Sequence, residues 1–193
     1  MNIFSWLGNT RLLHLFGISM SNKKLYQGLF ALVGLGVISI AVLRLNYAVI
    51  SIPSESMLPT LEINDSVLID KYLFENASPK RGDLIIFHPP EILKKQNYTA
   101  PFIMRVVGLP GEMIEIKNGK VYLDGKAIEE NYILAPPEYT TPLAKIPPRS
   151  YYVLGDNRNN SHDSRFWGYV TEDLIIGRAI SIYAPPSRAR KFN

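Results

Sequence analysis

The sequence has no cysteine among its 193 residues. That excludes a disulfide framework and thiolate metal ligands, and it leaves the compartment open. Histidine is scarce, with three copies at positions 14, 88 and 162. Internal repeats and low-complexity tracts are absent. Acidic residues are missing from the first 50 positions, which carry Arg11, Lys23, Lys24 and Arg44. The formal net charge of +4 therefore belongs to that end, and the rest of the chain is balanced. A nucleic-acid binder carries its excess on the folded domain, so no nucleic-acid partner is expected. The tail cations Arg188, Arg190 and Lys191 are expected to be solvated.

Charge is also absent from Leu25 to Leu43, "LYQGLFALVGLGVISIAVL", a run of 19 residues. At about 1.5 Å per helical residue it nearly crosses a hydrocarbon core of roughly 30 Å. Gly28, Gly34 and Gly36 are compatible with a membrane helix. Lys23 and Lys24 precede the run and Arg44 alone follows closely. The positive-inside rule then predicts residues 1–24 as a cytoplasmic basic segment, 25–46 as one transmembrane helix, and 51–193 as an extracytoplasmic domain. The alternative is a cleaved signal peptide; the length of the run and the lack of a small-x-small site favour a retained anchor. Upstream, Trp6, Leu12, Leu13, Leu15 and Phe16 suit an interfacial helix, with His14 incidental to it.

Beyond residue 50 no helical period persists. Short apolar runs alternate with turn signals: "SVLI", "DLIIF", "FIMRVVG", "MIEI", "KVYL", "YYVLG" and "GRAISIY". Asn118-Gly119 and Asp124-Gly125 are suited to tight hairpin turns between alternating strands. The predicted fold is mainly β, a coiled antiparallel, barrel-like sheet. "ILAPPEYTTPLAKIPPRS" lacks such alternation and is expected as a flexible excursion.

Four stretches carry the chemistry: "IPSESMLPTL" at 52–61, "RGDLIIFHP" at 81–89, "FIMRVVGLPGE" at 102–112 and "LGDNRNNSHDSRFWG" at 154–168. In this order, after an N-terminal anchor, they resemble the type I signal peptidases across residues 44–185. The wording "IIFHPPEIL" looks most like cyanobacterial or plastid-type members. The absence of a Ser/Arg-rich transit segment favours a bacterial source. The resemblance implies a membrane-anchored serine endopeptidase with a Ser-Lys dyad. Its substrates are exported preproteins with small residues before the cleavage site, its second partner is membrane lipid, and it needs no cofactor or metal. Ser56 matches the nucleophile. Ser54 matches the serine whose hydroxyl joins the Ser56 N–H in an oxyanion hole. Ser161 and Asp163 match residues that orient the base and brace the site, and Asp156 and Arg165 match polar partners of the same loop.

The base of that family is a lysine, which acts only when neutral and therefore needs apolar surroundings. Here its position is Met104, with Phe102, Ile103, Val106 and Val107 expected to line it. A thioether fills such a slot but cannot take a proton. Losing the base of such a unit costs on the order of 10⁴–10⁶ in rate. Arg105 is expected on the opposite strand face and does not deprotonate. His162, His88 and Lys71 are the substitute candidates. Two readings stand: a signal peptidase, working through a substitute base or inactivated at Met104, and a non-catalytic homologue that binds signal peptides or partner proteins. A relative of the self-cleaving repressor proteases explains neither the apolar run nor "GDNRNNSHDSR".

Overall fold

The protein is described by a computed structural model covering residues 22–75 and 77–192. The chain divides into an N-terminal unit ending at Arg44 and a β unit beginning at Leu45. Residues 1–21, including the expected interfacial segment, lie outside the described residues.

Helix α1 (Asn22–Asn46) is 25 residues long. Leu29, Phe30, Leu32, Val33 and Leu35 are all exposed on it. Those positions point in several directions around the axis, so α1 has no polar face in this stretch. Among the described residues no helix is long and apolar enough to cross a membrane.

Among the described residues the β unit contains twelve strands. The strands β1 (Tyr47–Ser51), β2 (Ser66–Asp70), β3 (Leu84–Phe87), β4 (Phe102–Gly108), β9 (Ser150–Leu154), β10 (Val170–Thr171), β11 (Ile175–Ala184) and β12 (Arg190–Lys191) form the large sheet. Its order is β1-β2-β11-β3-β4-β9-β10, with β12 beside β11. All its pairings are antiparallel. Register shifts interrupt β11 against both β2 and β3, and such bulges bend a strand and strengthen its twist. The sheet is therefore coiled but open, with edges at β1 and β10.

A second sheet has the order β7-β6-β5-β8, from β5 (Met113–Lys117), β6 (Lys120–Leu123), β7 (Lys126–Ala127) and β8 (Thr141–Lys145). Its two hairpins turn at Asn118-Gly119 and Asp124-Gly125, all four residues having positive φ. That is the backbone of a type I′ turn, as the sequence predicts. The excursion expected at 133–150 is corrected: β8 lies within it and pairs with β5. Pro142 is tolerated because β8 is an edge strand.

Three apolar cores result. Ile52, Met57, Leu61, Leu84 and Ile86 lie in the first, on one face of the large sheet. Ile85, Phe87, Met104, Val106 and Trp167 lie in the second, on the other. The third fills the space between the two sheets around Val107, Ile114, Ile116 and Leu154. Strand β3 contributes alternate residues to the first and second cores and is buried throughout. Among the described residues the unit also holds two short α-helices, α2 (Glu91–Lys94) and α3 (Ser164–Trp167), and three single-turn 3-10 helices.

Candidate active site

The serine loop is a turn held from below. Met57 and Leu61 are buried in the first core, and the Leu61 N–H donates to the Met57 carbonyl (2.9 Å). Burying two such side chains contributes roughly 1.5–3 kcal/mol each. This plants the turn on the sheet and lifts Ser56, half-buried, and Ser54, exposed, above it. From the facing loop Asn157 grips the turn twice. Its backbone N–H donates to the Ser56 carbonyl (3.0 Å), and its side-chain amide donates to the Glu55 carbonyl (3.1 Å).

Gly155 is the point where the two loops meet. A Cβ there would overlap both Ser161 Oγ and the Ser56 carbonyl oxygen. Only glycine permits this approach, and the approach brings Ser56 and Ser161 to one place. Asp163 braces the same point. Its Oδ2 accepts from the Gly155 N–H (3.2 Å), and its carboxylate takes Nε (2.6 Å) and Nη2 (2.9 Å) of Arg165. The same Arg165 Nη2 donates to the Ser161 carbonyl (2.7 Å). Asp163 also caps α3 by accepting from the Arg165 N–H, and Ser164 Oγ accepts from the Val153 N–H (2.9 Å). Charge-assisted bonds of this kind are about twice as strong as neutral ones, so Ser161 is fixed from both sides. Ser161 Oγ itself is buried and has no hydrogen-bond partner among the described residues.

Met104 is 2% exposed, in the second core. Of its expected neighbours, Phe102 and Val106 share that core, whereas Ile103 packs on the first and Val107 belongs to the third. Alternation along β4 explains the split; Phe87, Val153 and Trp167 complete the surroundings instead. Leu154 pairs with Arg105 in the β4–β9 ladder. Continued by one residue, the antiparallel register sets Gly155 level with Met104. Arg105 leaves the opposite face and forks onto Asp156 through Nε (2.8 Å) and Nη2 (2.6 Å). Its Nη1 donates to the Gly82 carbonyl (2.7 Å), and the Thr60 hydroxyl donates to Asp156 Oδ2. Asp156 is thus tied to Arg105 and the serine loop, not to Arg165.

The three candidate substitute bases have different surroundings. The His162 ring stacks between Tyr98 (6.0 Å) and Phe166 (5.2 Å). His88 lines a separate cavity with Pro89, Lys94, Tyr98 and Leu174. Lys71 lines another with Phe74, Glu172 and Ile175.

Arg158 and Glu130 escaped the sequence reading. Arg158 is fully buried, donates from Nε to the Gly155 carbonyl (3.1 Å), and forks onto Glu130 (2.7 and 2.6 Å). Glu130 also accepts from the Tyr132 hydroxyl (2.6 Å), and the Arg105 guanidinium lies 4.0 Å over the Tyr132 ring. Tyr139 lies 4.1 Å under Arg165. Burial pushes its hydroxyl up to about 12, against the pull of the Arg165 charge. Arg158 falls inside a quoted motif, but Glu130 follows a hairpin with no pattern of its own; only the fold joins them. In the tail the correction concerns Arg188, which binds Asp65 through Nε (2.8 Å) and Nη2 (2.9 Å); Arg190 and Lys191 are exposed as expected, Arg190 donating to the Thr60 carbonyl (2.8 Å). Backbone pairing of β12 brings these cations back onto the sheet.

Residues 25–184 match the family described as signal peptidase, peptidase S26, and the chain belongs to that family. It is 52% identical to signal peptidase I of Leptolyngbya laminosa over 139 residues, 71% of this chain and 68% of that one. It is 48% identical to the probable signal peptidase I-1 of a Synechocystis species over 139 residues, 71% of each. A crystal structure of a signal peptidase I from Enterococcus faecalis V583 matches at 29% identity and a TM-score of 0.42, over 53% of this chain and 97% of that one.

Proposed function

We propose that the chain is a membrane-anchored serine endopeptidase of the signal peptidase I type, whose substrates are exported preproteins and whose proton-accepting position is filled by Met104. The observation that carries the site assignment is the meeting of Ser56 and Ser161 at Gly155. Ser56 is the nucleophile. The Ser56 N–H and the Ser54 hydroxyl form the oxyanion hole. Ser161 Oγ, buried without a hydrogen-bond partner among the described residues, would hold an amine at position 104. Asp163 and Arg165 hold Ser161, while Asp156, through Arg105 and Thr60, holds the serine loop.

In the reaction the Ser56 oxygen attacks the carbonyl carbon of the scissile bond, and its proton must leave as the new C–O bond forms. Met104 cannot take it. Turnover then rests on the oxyanion hole and substrate binding, on the order of 10⁴–10⁶ below that of a lysine-bearing site. The same observation favours a second reading, a non-catalytic homologue that binds signal peptides.

The anchor reading is supported by the charge-free run on the 25-residue helix α1. Residues 1–24 are cytoplasmic, 25–46 span, and 51–193 lie outside a bacterial cell membrane, with lipid around the span.

The test is preprotein cleavage by the purified chain beside Met104→Lys and Met104→Lys/Ser56→Ala. Cleavage by Met104→Lys alone is expected. If neither the chain nor Met104→Lys cleaves while both bind signal peptides, the binder reading replaces the enzyme. If the unaltered chain cleaves as fast as Met104→Lys, a substitute base exists and His162→Ala is tested next.

A further inference from the structure

A cavity of about 390 Å³ opens beside β11, lined in part by Leu84 and Ala179. Both belong to the first core, so the cavity lies on the sheet face opposite Met104. Its charged lining is Asp83 from the turn before β3, Arg105 from β4, Arg178 from β11, and Arg190 and Lys191 from β12. Asn131 adds a side-chain amide from the segment after β7.

The charges do not cancel. Arg105 is committed to Asp156 and the Gly82 carbonyl. Asp83 is the carboxylate left for the other cations. It accepts from Arg178 Nη1 (3.1 Å) on one oxygen and from the Lys80 N–H (2.8 Å) on the other. Arg190 uses Nη2 on a backbone carbonyl, and no ion pair to Lys191 is found among the described residues. Among the described residues that line the cavity, Asp83 is the one acid facing Arg178, Arg190 and Lys191; Asp65, outside the lining, also lies within electrostatic reach of Arg190 but is bound by Arg188. Arg178 Nε, moreover, is buried with no hydrogen-bond partner among the described residues. A buried donor left unmade is costly, more so on a cation, and this one borders a cavity rich in further donors.

We propose that this groove binds a phosphate-type oxyanion. Arg178, the β12 cations and Asn131 approach from separate elements, an arrangement that suits an acceptor with oxygens in several directions. A guanidinium matches phosphate oxygens with paired donors, and a lysine adds a point charge. The cavity is large enough for a phosphate ester as well as the free ion. The groove adjoins the serine loop: Arg190 donates to the Thr60 carbonyl (2.8 Å) and Arg105 Nη2 to the Thr60 hydroxyl (3.3 Å).

The test is a phosphorus-NMR titration of the full chain in neutral detergent, at constant ionic strength held with chloride. The probes are inorganic phosphate and glycerophosphoglycerol, the deacylated headgroup of phosphatidylglycerol. Saturable binding is expected, weakened by about tenfold or more in Arg178→Gln and in Lys191→Glu, the worth of one charge-assisted hydrogen bond. Tighter binding of inorganic phosphate supports the site with the free ion as its ligand; tighter binding of the headgroup supports it with lipid as the source. Binding that chloride abolishes equally well, or that Lys191→Glu leaves unchanged, overturns the proposal. Lys191 is exposed, so that variant decides the matter even if Arg178→Gln does not fold.

Discussion

At residue 104 a proton acceptor and a packing residue make opposite demands on one slot. The slot is apolar, with Phe87, Val106, Val153 and Trp167 in the same core. An amine placed there is pushed toward neutrality by desolvation. Its folded-state pKa then lies below the roughly 10.4 of an unfolded lysine. Between those two values the unfolded chain binds more protons, so stability rises with pH. Met104→Lys is therefore expected to be less stable than the unaltered chain at neutral pH, with the gap narrowing toward alkaline pH. Its peptidase activity is expected to rise as pH passes through the folded-state value and to level off above it, where the amine is already neutral. Urea unfolding across pH checks the first part, and a pH-independent gap would mean that the amine reaches water. Gly155 poses the converse case, in which a single carbon is too many. Gly155→Ala pushes against Ser161 Oγ and the Ser56 carbonyl, and is expected to cost about 1–3 kcal/mol as overpacking. Even where Met104→Lys supplies the amine, adding Gly155→Ala is expected to remove cleavage in a preprotein assay.

Between elements, buried or half-buried ion pairs tie loops that sequence patterns leave unrelated. Glu130→Gln leaves Arg158 buried without its charge partner, expected to cost about 3–5 kcal/mol. The segment between β7 and β8 should then be cut early in limited proteolysis, because Arg158 and Tyr132 no longer fasten it. A second tie joins the turn before β2 to the segment after β11. Burial raises the Asp65 carboxyl, but the Arg188 guanidinium and the Glu62 N–H outweigh it, and the net shift is downward. A carboxyl lowered by folding adds stability above its unfolded value of about 3.9, and that stability fades as pH falls through the folded value. Arg188→Ala is expected to lower the melting temperature at neutral pH and to differ less from the unaltered chain in acid. The strands with alternation or Asn-Gly and Asp-Gly turns were legible in the sequence, as at β5–β6, because local pattern and turn chemistry agree there. Strand β1 was not, since "YAVIS" follows an apolar run without a break. Neither was β8, which is proline-bearing and half-exposed. The serines and Asp163 were singled out in the sequence through their motif, and the structure brings Ser56 and Ser161 together at Gly155. Asn157 and the Glu130 half of the Arg158 pair depend on contacts between distant segments, which local pattern does not record.

Taken whole, the molecule concentrates its net positive charge in the first 50 residues and balances the rest. An orientation with the basic end inside is expected, so protease added to intact spheroplasts should degrade residues 51–193. Protection of that part would reverse the topology. The packing of Met104 bears on how such a chain persists through generations. Methionine (ATG) and lysine (AAG) codons differ by one base. In a slot closed by apolar side chains the amine is the less stable occupant, so demand for folding and demand for processing select different codons. A library randomised at position 104 is expected to return methionine and leucine under selection for soluble, folded β domain, and lysine under selection for preprotein cleavage. While Ser56, Ser161 and Gly155 remain in place, a single base change is expected to move the chain between the two.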